Sequence, residues 1–165
     1  MDVVVREARE AELGEISEMT VEVFATESLV SPEYLETLRD ARARWTAPET
    51  ILLVALDDGT DGLLGTVVYA RPGSPLQDLA SGAEAEFRML AVTPAARGRG
   101  VGETLVQACI AQAKRDELPR IVLSTGPEMT AAHRLYERMG FRRATERDWS
   151  PSPEIELYAY VMDFQ

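Results

Sequence analysis

The sequence predicts a mixed α/β fold, a central sheet with helices packed on its faces. Three observations lead there. Apolar residues recur with period 2 in some stretches and with helical spacing in others. Those stretches follow in the order β, α, α, β, β, β, α, β, α, β, β, which calls for a layered sheet-and-helix packing. The 165 residues contain no linker, repeat or low-complexity tract, and they are enough for one domain over 1–165 with a substantial core.

Each element has its own signal. VVVREA (3–8) reads as a short first strand, and 11–27 carries Leu13, Ile16, Met19, Val23 and Phe24 at the spacing of an amphipathic helix. Ser31-Pro32-Glu33 supplies an N-cap and a proline at the first helical position, opening a second helix to about Trp45. ILLVALD (51–57) and LLGTVVYA (63–70) are β-rich runs joined by a hairpin at Asp57-Asp58-Gly59. Glycine, proline and serine make RPGSPLQDLASGA (71–83) a loop. EAEFRMLAV (84–92) is a central strand. VGETLVQACIAQAKRDE (101–117) is a helix with Val101, Leu105, Ala108, Cys109 and Ala113 along one side. RIVLST (120–125) is a buried strand, and MTAAHRLYERMG (129–140) is a helix closed by Gly140. FRRATERDW (141–149) and IELYAYVMDF (155–164) finish as two strands around a Ser150-Pro151-Ser152-Pro153 turn.

Charge and composition narrow the function. The formal net charge is −11, with 28 acidic against 17 basic side chains. That balance disfavours binding a nucleic-acid backbone over a broad surface. It suits a cationic substrate as well as plain solubility. One cysteine and one histidine, Cys109 and His133, cannot build an N/S metal site, and no clustered aspartates suggest a carboxylate-held metal. No apolar run reaches the roughly 20 residues of a membrane span, and MDVVVREARE has no signal-peptide pattern. With a lone cysteine, these features lead us to expect a cytoplasmic protein.

The stretch Arg97-Gly98-Arg99-Gly100-Val101-Gly102 sets two cations and three glycines at the mouth of a helix. The first helical turn leaves N–H groups without intrahelical partners, and the dipole makes that end positive. Glycines let backbone approach a ligand, so the turn forms an anion cradle suited to a pyrophosphate. Arg97 and Arg99 would add charge-assisted hydrogen bonds, each on the order of 1.5–3 kcal/mol. A tight strand-to-helix turn with solvated arginines accounts for the same residues. A nucleotide P-loop is excluded, because Glu103-Thr104 stands where Lys-Ser/Thr is required. A dinucleotide fingerprint fails as well, because Glu103 and Leu105 occupy its third glycine position in the two frames.

Following FRMLAV and the turn Val92-Thr93-Pro94, Arg97-x-x-Gly100-x-Gly102 resembles the acetyl-coenzyme A motif of the GCN5-related N-acetyltransferases, the GNAT superfamily. Downstream, Ala132-His133-Arg134-Leu135-Tyr136-Glu137-Arg138-Met139-Gly140-Phe141 is similar to that family's A-x-x-L-Y-x-x-x-G-F segment. The order of elements matches the fold along essentially the whole chain. Arg147-Asp148-Trp149 with its Ser-Pro-Ser-Pro turn looks like a feature of some bacterial members.

The resemblance implies a mostly antiparallel sheet of about seven strands and about four helices, with strands 84–92 and 120–125 splayed apart. It implies that the backbone of Leu90-Ala91-Val92 pairs with the pantetheine arm of acetyl-coenzyme A. Arg97, Gly98, Arg99, Gly100, Val101 and Gly102 would hold the pyrophosphate, and Ala132 and Tyr136 would face the coenzyme. The implied reaction moves the acetyl group to an amine by direct attack, with no metal. Tyr136, protonated at neutral pH, is the general acid for the departing thiolate. Glu86 is the general base, with Glu84 next in line, although Arg88 on the same strand face would weaken Glu86 as a base. His133 is expected on a solvated helix face and Cys109 in the core. The acceptor is expected among 24–48, loop 71–83 and turn 149–154, where Asp78 and Glu154 could attract an amine. A small primary amine is favoured over a protein or peptide amino group, because no broad acidic groove can be read. The alternative is a non-catalytic acyl-coenzyme A-binding or regulatory module of the same fold. Family members often pair through sheet edges, which makes 155–164 the candidate strand for a homodimer.

Overall fold

The computed structural model describes residues 2–164. Strands β1 (Val3–Glu7), β2 (Thr50–Asp57), β3 (Leu63–Ala70) and β4 (Glu84–Val92) form an antiparallel meander. The β2–β3 hairpin closes where the Asp57 carboxylate accepts from the Gly59 N–H at 2.8 Å. A second group contains β5 (Arg120–Thr125), β6 (Arg142–Arg143), β7 (Trp149–Ser152) and β8 (Ile155–Asp163). The sheet order is β1-β2-β3-β4-β5-β8-β6, with β7 added on β8. Its eight strands are largely antiparallel, one more than expected.

The two groups join only where β4 and β5 run parallel, through Glu84↔Arg120, Ala85↔Ile121 and Glu86↔Val122. Beyond that the strands part, and β4 itself carries the reason. Its pairing with β3 passes from Val68↔Arg88 to Thr66↔Ala91, so β4 holds one extra residue, and Met89 there has φ +58°. A bulge of this kind bends its strand and raises the local twist. It also reverses the side-chain phase. Ala85 and Phe87 belong to one core layer, then Met89 and Ala91 to the other, while Leu90 and Val92 turn to the first.

Helices cover both faces. On one, α1 (Leu13–Glu27), α2 (Pro32–Arg39) and α3 (Ala41–Thr46) bury Ile16, Phe24 and Leu38 against Leu52, Val54 and Met89. Fully burying side chains of this size contributes about 1.5–3 kcal/mol each. On the other, α4 (Val101–Arg115) and α5 (Thr130–Met139) bury Leu105, Cys109 and Tyr136 against Phe87, Ile121 and Leu123. Ser31 caps α2, accepting from the Tyr34 N–H at 3.1 Å. The helix expected to reach Trp45 breaks instead at Asp40, whose ψ of 72° is not helical. Asp40 then caps α3 by accepting from Ala43 N–H at 3.0 Å. The buried Arg44 guanidinium donates to the Leu38 and Thr37 carbonyls at 2.9 and 3.3 Å, closing the C-terminal end of α2. Five helices result rather than about four.

The C-terminal segment departs from expectation. Of 141–149, only Arg142–Arg143 pairs before a single 3-10 turn at Thr145–Arg147, while the expected turn 150–153 lies largely within β7. The turn is enforced by Asp148, which accepts from both guanidinium nitrogens of Arg143 at 2.6 and 2.7 Å. β8 is paired on both sides, with β5 and with β6 and β7, so it is an interior strand and not a free edge for dimer formation. Among the described residues, no helix is long and apolar enough to cross a membrane.

Candidate active site

Where β4 and β5 part, a cleft of about 1400 Å³ opens between them. Its floor is Phe87, Met89 and Leu90 from β4 and Ser124 and Thr125 from β5, with Tyr136 of α5 behind. Phe24 and Tyr34 wall it on one side, Trp149 and Leu157 on the other. Tyr136 is 4% exposed and packs edge-on against Phe87 and Phe141, with ring centroids 5.7 and 5.9 Å away. Burial pushes its phenol pKa up, so the hydroxyl stays protonated and can act only as a proton donor near neutral pH.

The glycine turn lies past the end of the splayed strand. Gly98 and Gly100 adopt φ of +81° and +75°, a left-handed conformation that glycine enters without strain, and no atom lies within 4 Å of a Cβ added at either. Gly100 precedes α4 as a cap without a side-chain acceptor. Gly102 lies where α4 passes α5 and β4: a Cβ there would meet Leu135 at 3.4 Å and Val92 at 3.7 Å, ordinary van der Waals contact. Arg97 pairs with Glu27, and Arg99 pairs with Asp57 at 3.1 Å. Both cations flank the turn, each held by a carboxylate of the chain. Val101 faces the core, and Ala132 packs against the same layer, one turn before Tyr136. Leu90 and Tyr136 share the cleft, while Ala91 is buried on the opposite face and Val92 approaches Gly102.

The expected bases require correction. Glu86 is fully buried, and its carboxylate accepts from the N–H groups of Asp78, Leu79 and Ala80 at 2.9–3.2 Å. Burial pushes its pKa up against those donors and the nearby Arg88. The side chain anchors loop 71–83 and does not face the cleft. Arg88 grips the same loop, donating to the Leu76 carbonyl at 2.9 Å and pairing with Asp78 at 2.9 Å. Glu84 also lies outside the cleft. Arg147 holds both its oxygens at 2.8 and 2.9 Å, and Arg120 approaches to 3.3 Å. Burial would raise the Glu84 carboxyl, but Arg147 and the Ser81 N–H outweigh it and hold it below the usual range.

The carboxylates that do line the cleft are Glu33, Asp78, Glu128, Glu154 and Glu156, against a single cation, Arg88. Glu128 accepts from the Ser28 hydroxyl at 2.8 Å and the Leu29 N–H at 3.0 Å, tying the β5–α5 loop to the α1–α2 loop across the mouth. Burial alone would raise its carboxyl, but these bonds hold it low. His133 is not on a solvated face. Its Nε2 lies 2.9 Å from the Gly126 carbonyl, and its ring packs 5.8 and 5.7 Å from Tyr158 and Tyr160. Sequence reasoning missed Glu128 and Thr125 as cleft residues, whereas Trp149 falls in the segment 149–154 expected to flank it.

Solved structures share this architecture. An acetyltransferase of Kribbella flavida described as GCN5-related superposes with a TM-score of 0.75 and 26% identity, covering 98% of each chain. An acetyltransferase of Salmonella typhimurium, solved with its cofactor acetyl-CoA, superposes with a TM-score of 0.70 at 18% identity, covering 99% of this chain and 94% of that one. The mycothiol acetyltransferase of Cellulomonas flavigena is 36% identical over 123 residues, 71% of this chain and 35% of that protein. The chain thus spans about a third of the length of such curated relatives. The profile of the acetyltransferase (GNAT) family matches residues 14–141, and the chain belongs to that family.

Proposed function

We propose that the chain is an acetyl-coenzyme A-dependent N-acetyltransferase acting on a small primary amine. One observation carries the reading. After Glu86 and Val122, β4 leaves β5 and exposes an unpaired backbone edge along a cleft that ends at Tyr136. An extended, amide-bearing arm can add to such an edge as a further strand. The turn after β4 fits the other end of the coenzyme. Open space at Gly98 and Gly100, an uncapped helix N-terminus and two arginines suit a pyrophosphate, which would take the arginines over from Glu27 and Asp57. When bound, the coenzyme supplies an activated acyl group.

The chain's own residues supply the rest. The five cleft carboxylates favour a cationic acceptor, and Glu33, Glu154 and Glu156 pair with no cation among the described residues. An alkylamine with a pKa near 10.4 is neutral in only about one molecule in 2,500 at pH 7, so its proton must be removed before attack. These carboxylates can take that proton through water. Tyr136 then donates to the departing thiolate, and the N–C bond forms as the C–S bond breaks. The name of the curated relatives also favours a small-molecule acceptor.

The test is free-thiol release from acetyl-coenzyme A across a panel of amines, amino acids and N-terminal peptides. Amine-dependent release, fastest with a small primary amine, supports the reading. Release with peptides alone would move the acceptor assignment. Tight acetyl-coenzyme A binding without release would convert the protein to a binding module.

A further inference from the structure

Thr125 is the last residue of β5, past the point where that strand loses β4. It lines the cleft, is 5% exposed, and its Oγ1 has no hydrogen-bond partner among the described residues. Leaving a buried hydroxyl unpaired costs about 1–3 kcal/mol, and valine would fill the same volume without that cost. The adjoining Ser124 is different, because its hydroxyl accepts from Trp149 Nε1 at 2.9 Å. Strand alternation puts Thr125 on the face of Ile121 and Leu123, which pack with Tyr136 and Phe87, and puts Ser124 on the face of Trp149. The orphan hydroxyl therefore belongs to the Tyr136 side of the cleft. Because Oγ1 is itself buried, contact with a ligand requires a χ1 rotation of about 120° between staggered wells, which exchanges Oγ1 with the methyl group.

We propose that the Thr125 hydroxyl donates a hydrogen bond to a carbonyl of the amide-bearing arm of acetyl-coenzyme A, next to the thioester. This rests on the N-acetyltransferase reading. It assigns β5 a side-chain contact opposite the backbone edge of β4, so that the arm is held from both sides of the splay. The contact positions the thioester before Tyr136 and takes no part in proton transfer.

Calorimetric titration of wild type, Thr125→Val and Thr125→Ser tests it with two probes: acetyl-coenzyme A, and the 3′-phosphorylated ADP head that lacks the arm. Thr125→Val should weaken acetyl-coenzyme A by about 5–10-fold, the equivalent of one net hydrogen bond, with the head group's affinity unchanged. Thr125→Ser should restore most of the loss. Without ligand, Thr125→Val should melt at or above the wild-type temperature, because it removes an unpaired polar group. Equal acetyl-coenzyme A affinity in Thr125→Val overturns the proposal. So does equal weakening of both probes, or a lowered melting temperature, which would mark a structural hydroxyl. If wild type binds neither probe, the N-acetyltransferase reading falls and this contact falls with it; wild-type binding with an indifferent Thr125→Val removes the contact alone.

Discussion

Tyr136 and Glu86 show how the same physical condition, burial, gives two residues opposite meanings. Tyr136 is buried among aromatic rings but borders the cleft, and burial keeps its hydroxyl protonated. Tyr136→Phe keeps the ring packing and removes only that oxygen. We expect turnover to fall about 100-fold or more, the usual scale of a general acid, with acetyl-coenzyme A affinity within about twofold of wild type. Steady-state kinetics beside calorimetry checks this, and unchanged turnover would remove the acid role. Glu86 is buried among backbone N–H groups, so its carboxylate organises a loop. Glu86→Gln keeps the shape but turns an NH₂ toward donors. A loss of about 2–3 kcal/mol in denaturant unfolding is expected, the scale of one charge-assisted bond and the unpaired donor it leaves. The pH dependence of turnover should keep its form, and a shifted acidic limb would reinstate Glu86 as the base.

Elements were more legible than the site. β3, β4 and β5 fall where their apolar runs begin and end, because such strands are specified by local hydrophobicity and the glycine or proline beside them. The helix from Ser31 hid its break, since Asp40 looks like any polar helix residue until Arg44 closes α2 from below. The segment 141–149 read as a strand because alternation says nothing of the Arg143–Asp148 clamp that curls it. The glycine turn was readable because its chemistry is contiguous in sequence. Of the cleft carboxylates, Asp78 and Glu154 were readable from the segments that carry them, but Glu33, Glu128 and Glu156 come together with them only through the fold. The same fold pairs the turn's arginines with Glu27 and Asp57, a competition invisible in the motif. Asp57→Asn should therefore tighten acetyl-coenzyme A binding about 2–5-fold by freeing Arg99, while Asn Oδ1 can still accept from Gly59. Arg97→Ala should weaken binding about 10-fold and make it less sensitive to salt. Titrations at two salt concentrations decide this, and weaker binding by Asp57→Asn would mean that the pair shapes the cradle.

At the scale of the whole molecule, the sheet is two halves held by three residue pairs, because the splay that makes the cleft removes every later pairing between β4 and β5. A joint that short needs reinforcement, and Glu84 provides it. From β4 it engages Arg120 on β5 and Arg147 in the turn after β6, so one carboxylate pins three segments of both halves. The Glu84 side chain is 7% exposed, whereas Arg120 and Arg147 keep 37% and 24%, so the network is weaker than a fully buried one. Breaking it by Glu84→Gln should cost about 2–3 kcal/mol, below the about 3–5 of a buried pair, and lower the melting temperature by roughly 5–10 °C. The pH dependence follows in sign. The folded-state pKa of Glu84 is lowered, so its contribution is complete above the unfolded value near 4.5 and is lost as pH falls through the folded value. Asp148, held low by Arg143, acts in the same direction. Stability should thus fall steeply below about 4.5, whereas Glu86, raised by burial, works in the opposite sense and adds stability as pH falls toward that value from above. Glu84→Gln should be less stable at pH 7 and lose less on acidification, so that its curve approaches the wild-type curve at low pH. Denaturant melts of both proteins from pH 3 to 8 measure this convergence, and parallel curves would show that the joint is held by apolar packing alone.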